Sequence, residues 1–236
     1  MESSSNKKSF NVLIIVYFAI AFLDIISEYL LYQPLIIFSR ITSILILMGL
    51  YTMKSKVRYP IFYSILFFLL LSNIFFSINN SNIFFFGIIT FIIQRILVIY
   101  LILKLHPEKN YLQILLATFP FLLVFFYLIS VTHEISDMNL NILILQSLLI
   151  SFLGGISLTS YLKYNTREHS WLLISTLLMI GLRFIVFIEK YYLTEDLFNV
   201  FRPISVLLNA FAFFTFYKFV IAAEKAKKHT LKLKQQ

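Results

Sequence analysis

The chain contains no cysteine and few charged residues, since only 13% of its 236 residues are Asp, Glu, Lys or Arg. The lack of cysteine excludes disulfides, thiolate metal sites and a cysteine nucleophile. Soluble domains carry about 25% charged residues, so the shortage of charge excludes an ordinary soluble protein. With only 5 Gly and 5 Pro, the chain also lacks the composition of linker-rich or disordered proteins.

Hydrophobic residues make up 60% of the chain, and most of them fall in eight long apolar runs. Each run is long enough for a transmembrane helix, which needs about 20 apolar residues. The runs do not alternate between apolar and polar residues as the strands of a membrane β-barrel do. The sequence therefore predicts an all-α, polytopic transmembrane bundle of eight helices, with one domain over residues 1–224 and a basic tail over 225–236. The predicted crossings are 11–31, 34–53, 60–78, 83–103, 112–131, 140–162, 171–188 and 200–223.

Basic residues fall mainly on one side of this predicted bundle. Fourteen of the 20 Lys and Arg residues lie in the two tails and in the connections after the second, fourth and sixth crossings. Lys190 and Arg202 lie on the other side. Because short basic loops stay in the cytoplasm, we predict that both termini are cytoplasmic (N-in/C-in). The first run has no small-residue cleavage site after it, so we expect it to remain as a helix.

The net charge of +9 follows from this topology and from the basic tail. Such a tail lies against anionic lipid headgroups, at about 1 kcal/mol per basic residue. Membrane lipid is therefore the expected partner, and nucleic-acid binding is not implied. The richness in Ile, Phe, Asn and Lys favours an AT-rich bacterial genome, so we expect a multi-pass protein of the bacterial cytoplasmic membrane.

The sixth crossing carries small residues at four-residue steps: Ser147, Ser151, Gly155 and Thr159. A stripe of this kind lets another helix approach closely, so its predicted role is packing. The neighbour is either another helix of the same chain or a second copy. In the second case the chain would form a homo-oligomer through the Ser147/Ser151/Gly155 face.

Ionisable residues inside the crossings are the most informative ones, because each costs roughly 2.5–3.5 kcal/mol at the bilayer centre. Asp24 and Glu28 lie four residues apart, and so on one face of the first helix. Three arginines on other helices fall at a similar depth, in the outer half of the bilayer. The residues at or near this level are Arg40, Asn73, Gln94, Arg95, Gln146, Arg183, Arg202 and Asn209.

Three interpretations of this polar level are open. The carboxylates could pair with arginines and only hold helices together. Alternatively, they could line a cavity that opens outward and receives a lipid headgroup, with arginines for a phosphate and carboxylates for acid or base work. An ion or proton pathway would need carboxylates through the full depth, and the inner half lacks them. In the cavity interpretation Asp24 and Glu28 are the catalytic candidates, and the ligand-binding candidates are Arg40, Asn73, Gln94, Arg95, Arg183 and Asn209.

No metal or other cofactor is expected. The four histidines, His106, His133, His169 and His229, lie in loops or tails on both sides of the predicted bundle, so a convergent metal cluster is not predicted. The sequence also contains no HExxH motif, no nucleophile elbow and no P-loop.

Four short stretches form a pattern across the second, third, fourth and seventh crossings. They are Gln33-Pro34-Leu35, Ser72-Asn73, the Phe-rich stretch 84–100 with Gln94 and Arg95, and Leu182-Arg183 followed by a Tyr pair. In these stretches, and in the eighth crossing, the chain resembles the YhhN family of eight-helix membrane proteins. That family includes lysoplasmalogenase, which hydrolyses the vinyl-ether bond of lysoplasmalogens.

The chain departs from the family pattern at its polar positions. The family has Gly-Asp at the position of Ser72-Asn73, a His near Gln94 or Arg95, and Ser-Asp or Ser-Asn at the position of Leu182-Arg183. A vinyl-ether hydrolase needs one group to protonate the alkene carbon and another to activate water, and Asn73 and Arg183 are poorly suited to either task. The resemblance therefore implies that Asp24 and Glu28 have taken over these roles, or that the protein hydrolyses nothing.

The expectation from the sequence is thus a YhhN-like membrane protein with an outer polar cavity for a lipid or lysolipid. If it is an enzyme, it is an ether-lipid hydrolase of the lysoplasmalogenase type. The alternative is a non-catalytic structural, sensor or partner protein whose buried charges only pair helices.

Overall fold

The computed structural model describes the backbone of residues 4–78, 81–106, 110–132, 137–192 and 195–233, and the side chains of 8–78, 83–106, 110–132, 140–189, 191–192 and 201–227. Every regular element in these ranges is a helix, and eight helices are long and apolar enough to cross a membrane. The predicted all-α bundle of eight helices, each long and apolar enough for a crossing, is confirmed. The helices are α1 (Ser4–Tyr29), α2 (Gln33–Lys54), α3 (Pro60–Ser77), α4 (Ser81–Leu105), α5 (Tyr111–Val131), α6 (Asp137–Tyr164), α7 (Arg167–Tyr191) and α8 (Glu195–Leu233).

The orientation of the bundle in the membrane stays a prediction. Among the basic residues behind it, Lys7, Lys109, Lys190 and those beyond residue 227 lie outside the described side chains. The backbone of α8 runs on to Leu233, so most of the basic tail continues the last helix.

Short connections join successive helices. Pro34 and Pro60 lie in the first turns of α2 and α3. The N–H groups of a first turn make no intrahelical hydrogen bond, so a proline there costs the helix none. The connections after α1, α2 and α6 each contain one residue with positive φ: Leu31 (53°), Arg58 (51°) and Asn165 (44°). Such residues reverse the chain within a few positions, so consecutive helices become packed neighbours.

Seven of the eight helices form a closed ring. Around this ring, α1 packs on α2, α2 on α3, α3 on α4, α4 on α6, α6 on α7, α7 on α8, and α8 on α1. Among the described helices, the backbone of α5 packs on α6 alone, so α5 lies outside the ring, and its Phe125 ring stacks on Phe184 of α7 with ring centres 4.9 Å apart. Helix α8 also contacts α2 and α4 across the interior.

The end of the ring that the predicted topology places towards the cytoplasm is filled. Tyr51, Phe62, Phe216 and Phe219 are each at most 1% exposed there. The buried carboxylate of Glu224 accepts hydrogen bonds from Tyr51 Oη (2.6 Å) and Ser55 Oγ (2.8 Å). The Tyr51 hydroxyl in turn accepts a bond from the backbone N–H of Tyr59 (2.9 Å). Glu224 thereby links α8 to the last turn of α2 and to the residue that follows it.

The small-residue stripe of α6 is covered within the chain. Ser147, Ser151 and Thr159 are buried, and a Cβ on Gly155 would overlap Thr118 Oγ1 and lie 2.8 Å from the Ile114 carbonyl oxygen. The packing role is thus met by α5 of the same chain. Homo-oligomerisation through the Ser147/Ser151/Gly155 face stays a prediction, and no second copy is required to bury these residues.

Candidate ligand-binding cavity

A cavity of about 310 Å³ lies in the end of the ring opposite Glu224. Each of the seven ring helices contributes at least one polar side chain to its wall, so the cavity is the unfilled half of the ring. Its volume is at the lower end of the range for small-molecule sites. These polar side chains include Asp24, Arg40, Asn73, Arg95, Gln146, Arg183, Tyr191, Ser205 and Asn209.

Glu28 is the centre of an ion-pair network between three helices. Its side chain is 0% exposed; Oε1 accepts a hydrogen bond from Arg40 Nη2, and Oε2 lies 3.1 Å from Arg202 Nε. Glu189 on α7 interacts electrostatically with both arginines. Because Glu28 is not part of the cavity wall, its position supports a role in holding α1, α2 and α8 together.

Asp24 differs from Glu28 because it lines the cavity. Its Oδ1 accepts a hydrogen bond from Ser39 Oγ (2.8 Å) and lies 3.9 Å from Arg40 Nε. The hydrogen bond and the ion pair of the Asp24 carboxylate with described residues both use Oδ1. The other oxygen, Oδ2, is therefore the one from which Asp24 could act on a ligand.

Arg95 and Arg183 line the same cavity but have no carboxylate partner among the described residues. Arg95 is 4% exposed; its Nη1 donates to Met179 Sδ (2.7 Å), and its guanidinium lies 5.0 Å from the centre of the Phe91 ring. A thioether is a weak acceptor, and a guanidinium carries five N–H donors. The two arginines therefore leave positive charge and hydrogen-bonding capacity directed at the cavity region.

The other predicted ligand-binding residues differ in whether they line the cavity. Asn73 and Asn209 line the cavity. Gln94 does not, because its fully buried side chain lies elsewhere in the bundle, where neither amide atom has a hydrogen-bond partner among the described residues. Its predicted role in ligand binding is not supported by this position.

An apolar wall faces the arginines. Phe76, Phe84 and Phe91 come from α3 and α4, and Phe187 comes from α7. A smaller pocket of about 30 Å³ adjoins the cavity and shares Asp24, Arg40, Asn73 and Asn209 with it. The small pocket is of the size of one water molecule, whereas the larger cavity offers an apolar surface beside a cationic one.

Sequence reasoning did not select three residues of this region as site residues. The sequence places Arg202 near the start of the eighth crossing, at or near the polar level but not among the ligand-binding candidates; in the structure it lies in α8 and pairs with Glu28. Ser39, which bonds to Asp24, gave no signal beyond being a small polar residue. Tyr191 reads as an interfacial anchor, a common role for Tyr at a helix end, yet it lines the cavity.

A second cluster of polar residues lies at the opposite end of the bundle. His106 follows α4 and His169 is in the first turn of α7, and their ring centres are 4.6 Å apart. Glu168 lies beside them. The expectation that the histidines lie apart is wrong for this pair, whereas His133 and His229 are outside the described side chains. Burial, with a smaller contribution from His169, lowers the pKa of His106 to about 4, so its imidazole is neutral at pH 7.

Comparisons with known proteins leave the family open. No family model matches the chain, and neither a curated protein nor a solved structure matches it. The class that the fold defines is that of an all-α membrane protein with eight helices able to span the bilayer.

Proposed function

We propose that this multi-pass membrane protein binds an amphiphile with an anionic headgroup, a lipid or lysolipid, in the cavity inside the ring. In this proposal Arg95 and Arg183 hold the headgroup through charge-assisted hydrogen bonds. Asn73, Gln146 and Asn209 orient it, and the Phe-rich wall contacts the apolar chain. The resemblance to the YhhN family supports the same class of ligand.

The observation that carries the proposal is the contrast between two pairs of arginines. Arg40 and Arg202 have a carboxylate partner in Glu28, so their charges are balanced by the protein. Arg95 and Arg183 have no such partner in the described part of the chain, although Arg95 is buried and Arg183 half-buried, so an unbalanced charge is costly. An anionic ligand in the cavity balances these charges, and a purely structural role does not account for them.

A second candidate function is hydrolysis of an ether lipid, and the position of Asp24 favours it. Asp24 lies between the main cavity and the small adjoining pocket, so Oδ2 could act on a ligand on one side or on water on the other. Glu28 cannot share this task easily, because both of its oxygens face arginines. Under this candidate Asp24 acts in turn as acid and base: it protonates the alkene carbon and then takes a proton from the water that attacks. The resulting hemiacetal breaks its C–O bond to the glycerol oxygen, which releases an aldehyde and an alcohol.

The binding proposal is tested by lipid analysis of the purified protein. We expect wild-type protein in mild detergent to retain anionic lipid or lysolipid, detected by native mass spectrometry and quantified after extraction. Arg95→Gln and Arg183→Gln should each reduce retention at least tenfold. Arg167→Gln is the matched control, because Arg167 is an exposed arginine at the other end of α7.

Equal lipid retention in the two cavity variants and the control would refute the binding proposal. Hydrolysis is a separate measurement, in which aldehyde release from a lysoplasmalogen is followed for wild type and for Asp24→Asn. Retained lipid without aldehyde release would leave binding as the function and exclude the ether hydrolase.

A further inference from the structure

Three side chains with metal-binding atoms converge at the filled end of the bundle, away from the lipid cavity. His106, Glu168 and His169 each place one such atom within 4.8 Å of the other two. His169 is 3% exposed, and the side chain of Glu168 is 14% exposed. Two helices that are far apart in the sequence, α4 and α7, are needed to build this group, which we call the His–Glu cluster.

Thr166 orients the two residues contributed by α7. Its hydroxyl lies 2.6 Å from His169 Nδ1 and also bonds to the Glu168 carboxylate. Because the carboxylate can only accept, the Thr166 proton goes to Glu168 and the hydroxyl oxygen accepts from His169 Nδ1–H. This pattern makes Nε2 the unprotonated nitrogen of His169. A hydrogen bond that fixes the other ring nitrogen is the usual second-shell arrangement around histidines that bind metals.

His106 supplies an independent observation. Its Nε2 is buried and has no hydrogen-bond partner among the described residues. The ring is held between His169 and Phe219, with ring centres at 4.6 and 5.7 Å. Packing explains why the ring is buried, but it leaves a buried polar nitrogen unsatisfied, which costs about 1–3 kcal/mol. A metal ion bound to Nε2 would remove that cost.

We propose that His106, Glu168 and His169 bind a divalent transition-metal ion of the Zn²⁺ type. Two imidazoles and one carboxylate are a ligand set that Zn²⁺ uses with a fourth, open position for water. At ligand distances of ~2.0–2.1 Å, tetrahedral ligand atoms lie roughly 3.4 Å apart. The ligand atoms of the cluster now lie within 4.8 Å of one another, so side-chain rotation must shorten their separations by up to about 1.4 Å to reach this geometry. Lys227 interacts electrostatically with His106, and the Glu168 carboxylate offsets this positive charge.

The test is metal binding by full-length protein purified without a polyhistidine tag. After incubation with Zn²⁺ and removal of free metal by desalting, we expect about one equivalent of Zn²⁺ per chain by elemental analysis. Replacing Zn²⁺ with Co²⁺ should give the visible absorption of a tetrahedral N/O site. His106→Gln and Glu168→Gln should each lower the affinity at least tenfold, whereas His133→Gln, a histidine on the other predicted side, should not.

Two results would overturn the proposal. One is wild-type protein that retains less than about a tenth of an equivalent of metal. The other is metal content and Co²⁺ absorption that are the same in wild type, His106→Gln and Glu168→Gln. Thermal unfolding in the presence of chelator shows whether each variant is folded. If a variant does not fold, the metal content and the Co²⁺ spectrum of the wild-type protein decide the test without it.

Discussion

Glu28 and Arg202 form an ion pair of 3.1 Å between the first and last helices of the ring. The pair closes the ring at the end that contains the cavity, and Arg40 on α2 pairs with the other oxygen of Glu28. Because the Glu28 side chain is fully buried, the network belongs to the structure of the bundle more than to the surface of the cavity. Asp24 is the carboxylate that lines the cavity.

Glu28→Gln is expected to destabilise the protein strongly. Removing one partner from a buried ion pair leaves the other charge uncompensated and costs about 3–5 kcal/mol. For a chain of this length each kcal/mol lowers Tm by about 2–4 °C. Asp24→Asn should have a smaller effect, because its nearest cation contact is 3.9 Å. The measurement is thermal unfolding in detergent.

Compensation distinguishes pairing from a general loss of packing. The double variant Glu28→Gln with Arg202→Gln should regain part of the lost stability, because it removes the unpaired charge as well. A double variant whose loss equals the sum of the two single losses would show that the ion pair contributes nothing.

Gly155→Ala is expected to destabilise the contact between α5 and α6. The added methyl group would meet Thr118 Oγ1 and lie 2.8–2.9 Å from backbone atoms of Ile114 and Thr118, so α5 itself must move. Overpacking of this kind costs about 1–3 kcal/mol. Gly49→Ala is the matched control, since the nearest atom lies at an ordinary 3.7 Å and Ala has the higher helix propensity. Equal Tm values for the two variants would contradict the packing described for α5.

Tyr51→Phe is expected to weaken the filled end of the ring. The change removes the 2.6 Å bond to Glu224 and the acceptor for Tyr59 N–H, and buried groups left without partners cost about 1–3 kcal/mol. Tyr63→Phe serves as the control, because within the described ranges Tyr63 Oη bonds only to Thr52, at an exposed position. Thermal unfolding of both variants checks the prediction, which fails if Tyr63→Phe is the more damaging.

Arg95→Met is expected to stabilise the protein after its lipid has been removed. A buried charge without a partner costs roughly 2.5–3.5 kcal/mol even on a lenient scale, and Met has a similar length without the charge. The same variant should lose the stabilisation that added anionic lysolipid gives to wild type. If Arg95→Met unfolds at a lower temperature than wild type in both conditions, Arg95 is a structural residue.

The sequence was sufficient to predict the crossings, because a run of about 20 apolar residues has few alternatives to a transmembrane helix. The depth of the polar residues was predictable as well, and Asp24, Arg40, Asn73, Arg95, Arg183 and Asn209 do share one cavity. Which residues pair across helices was not predictable. Helical periodicity assigns residues to a face of their own helix, but it gives no rotation of one helix relative to another.

The positions of Gln94 and the histidines show this limit. Gln94 precedes Arg95 in the sequence, yet only Arg95 lines the cavity, because adjacent residues of a helix point about 100° apart. His106 follows the fourth predicted crossing and His169 follows the sixth. Both numbers are even, so the predicted topology already placed the two histidines on one side of the membrane. That signal could have suggested their proximity, but their contact depends on α4 and α7 being near each other in the ring.

The order of the helices in the ring has a consequence for biosynthesis. Since the last member, α8, contacts both α1 and α4, the ring is completed only after nearly the whole chain has been synthesised and inserted. Until then Glu28 and Arg40 lack Arg202. A chain that stops before α8 would therefore have Arg40 as the remaining partner of Glu28 and a ring open between α7 and α1.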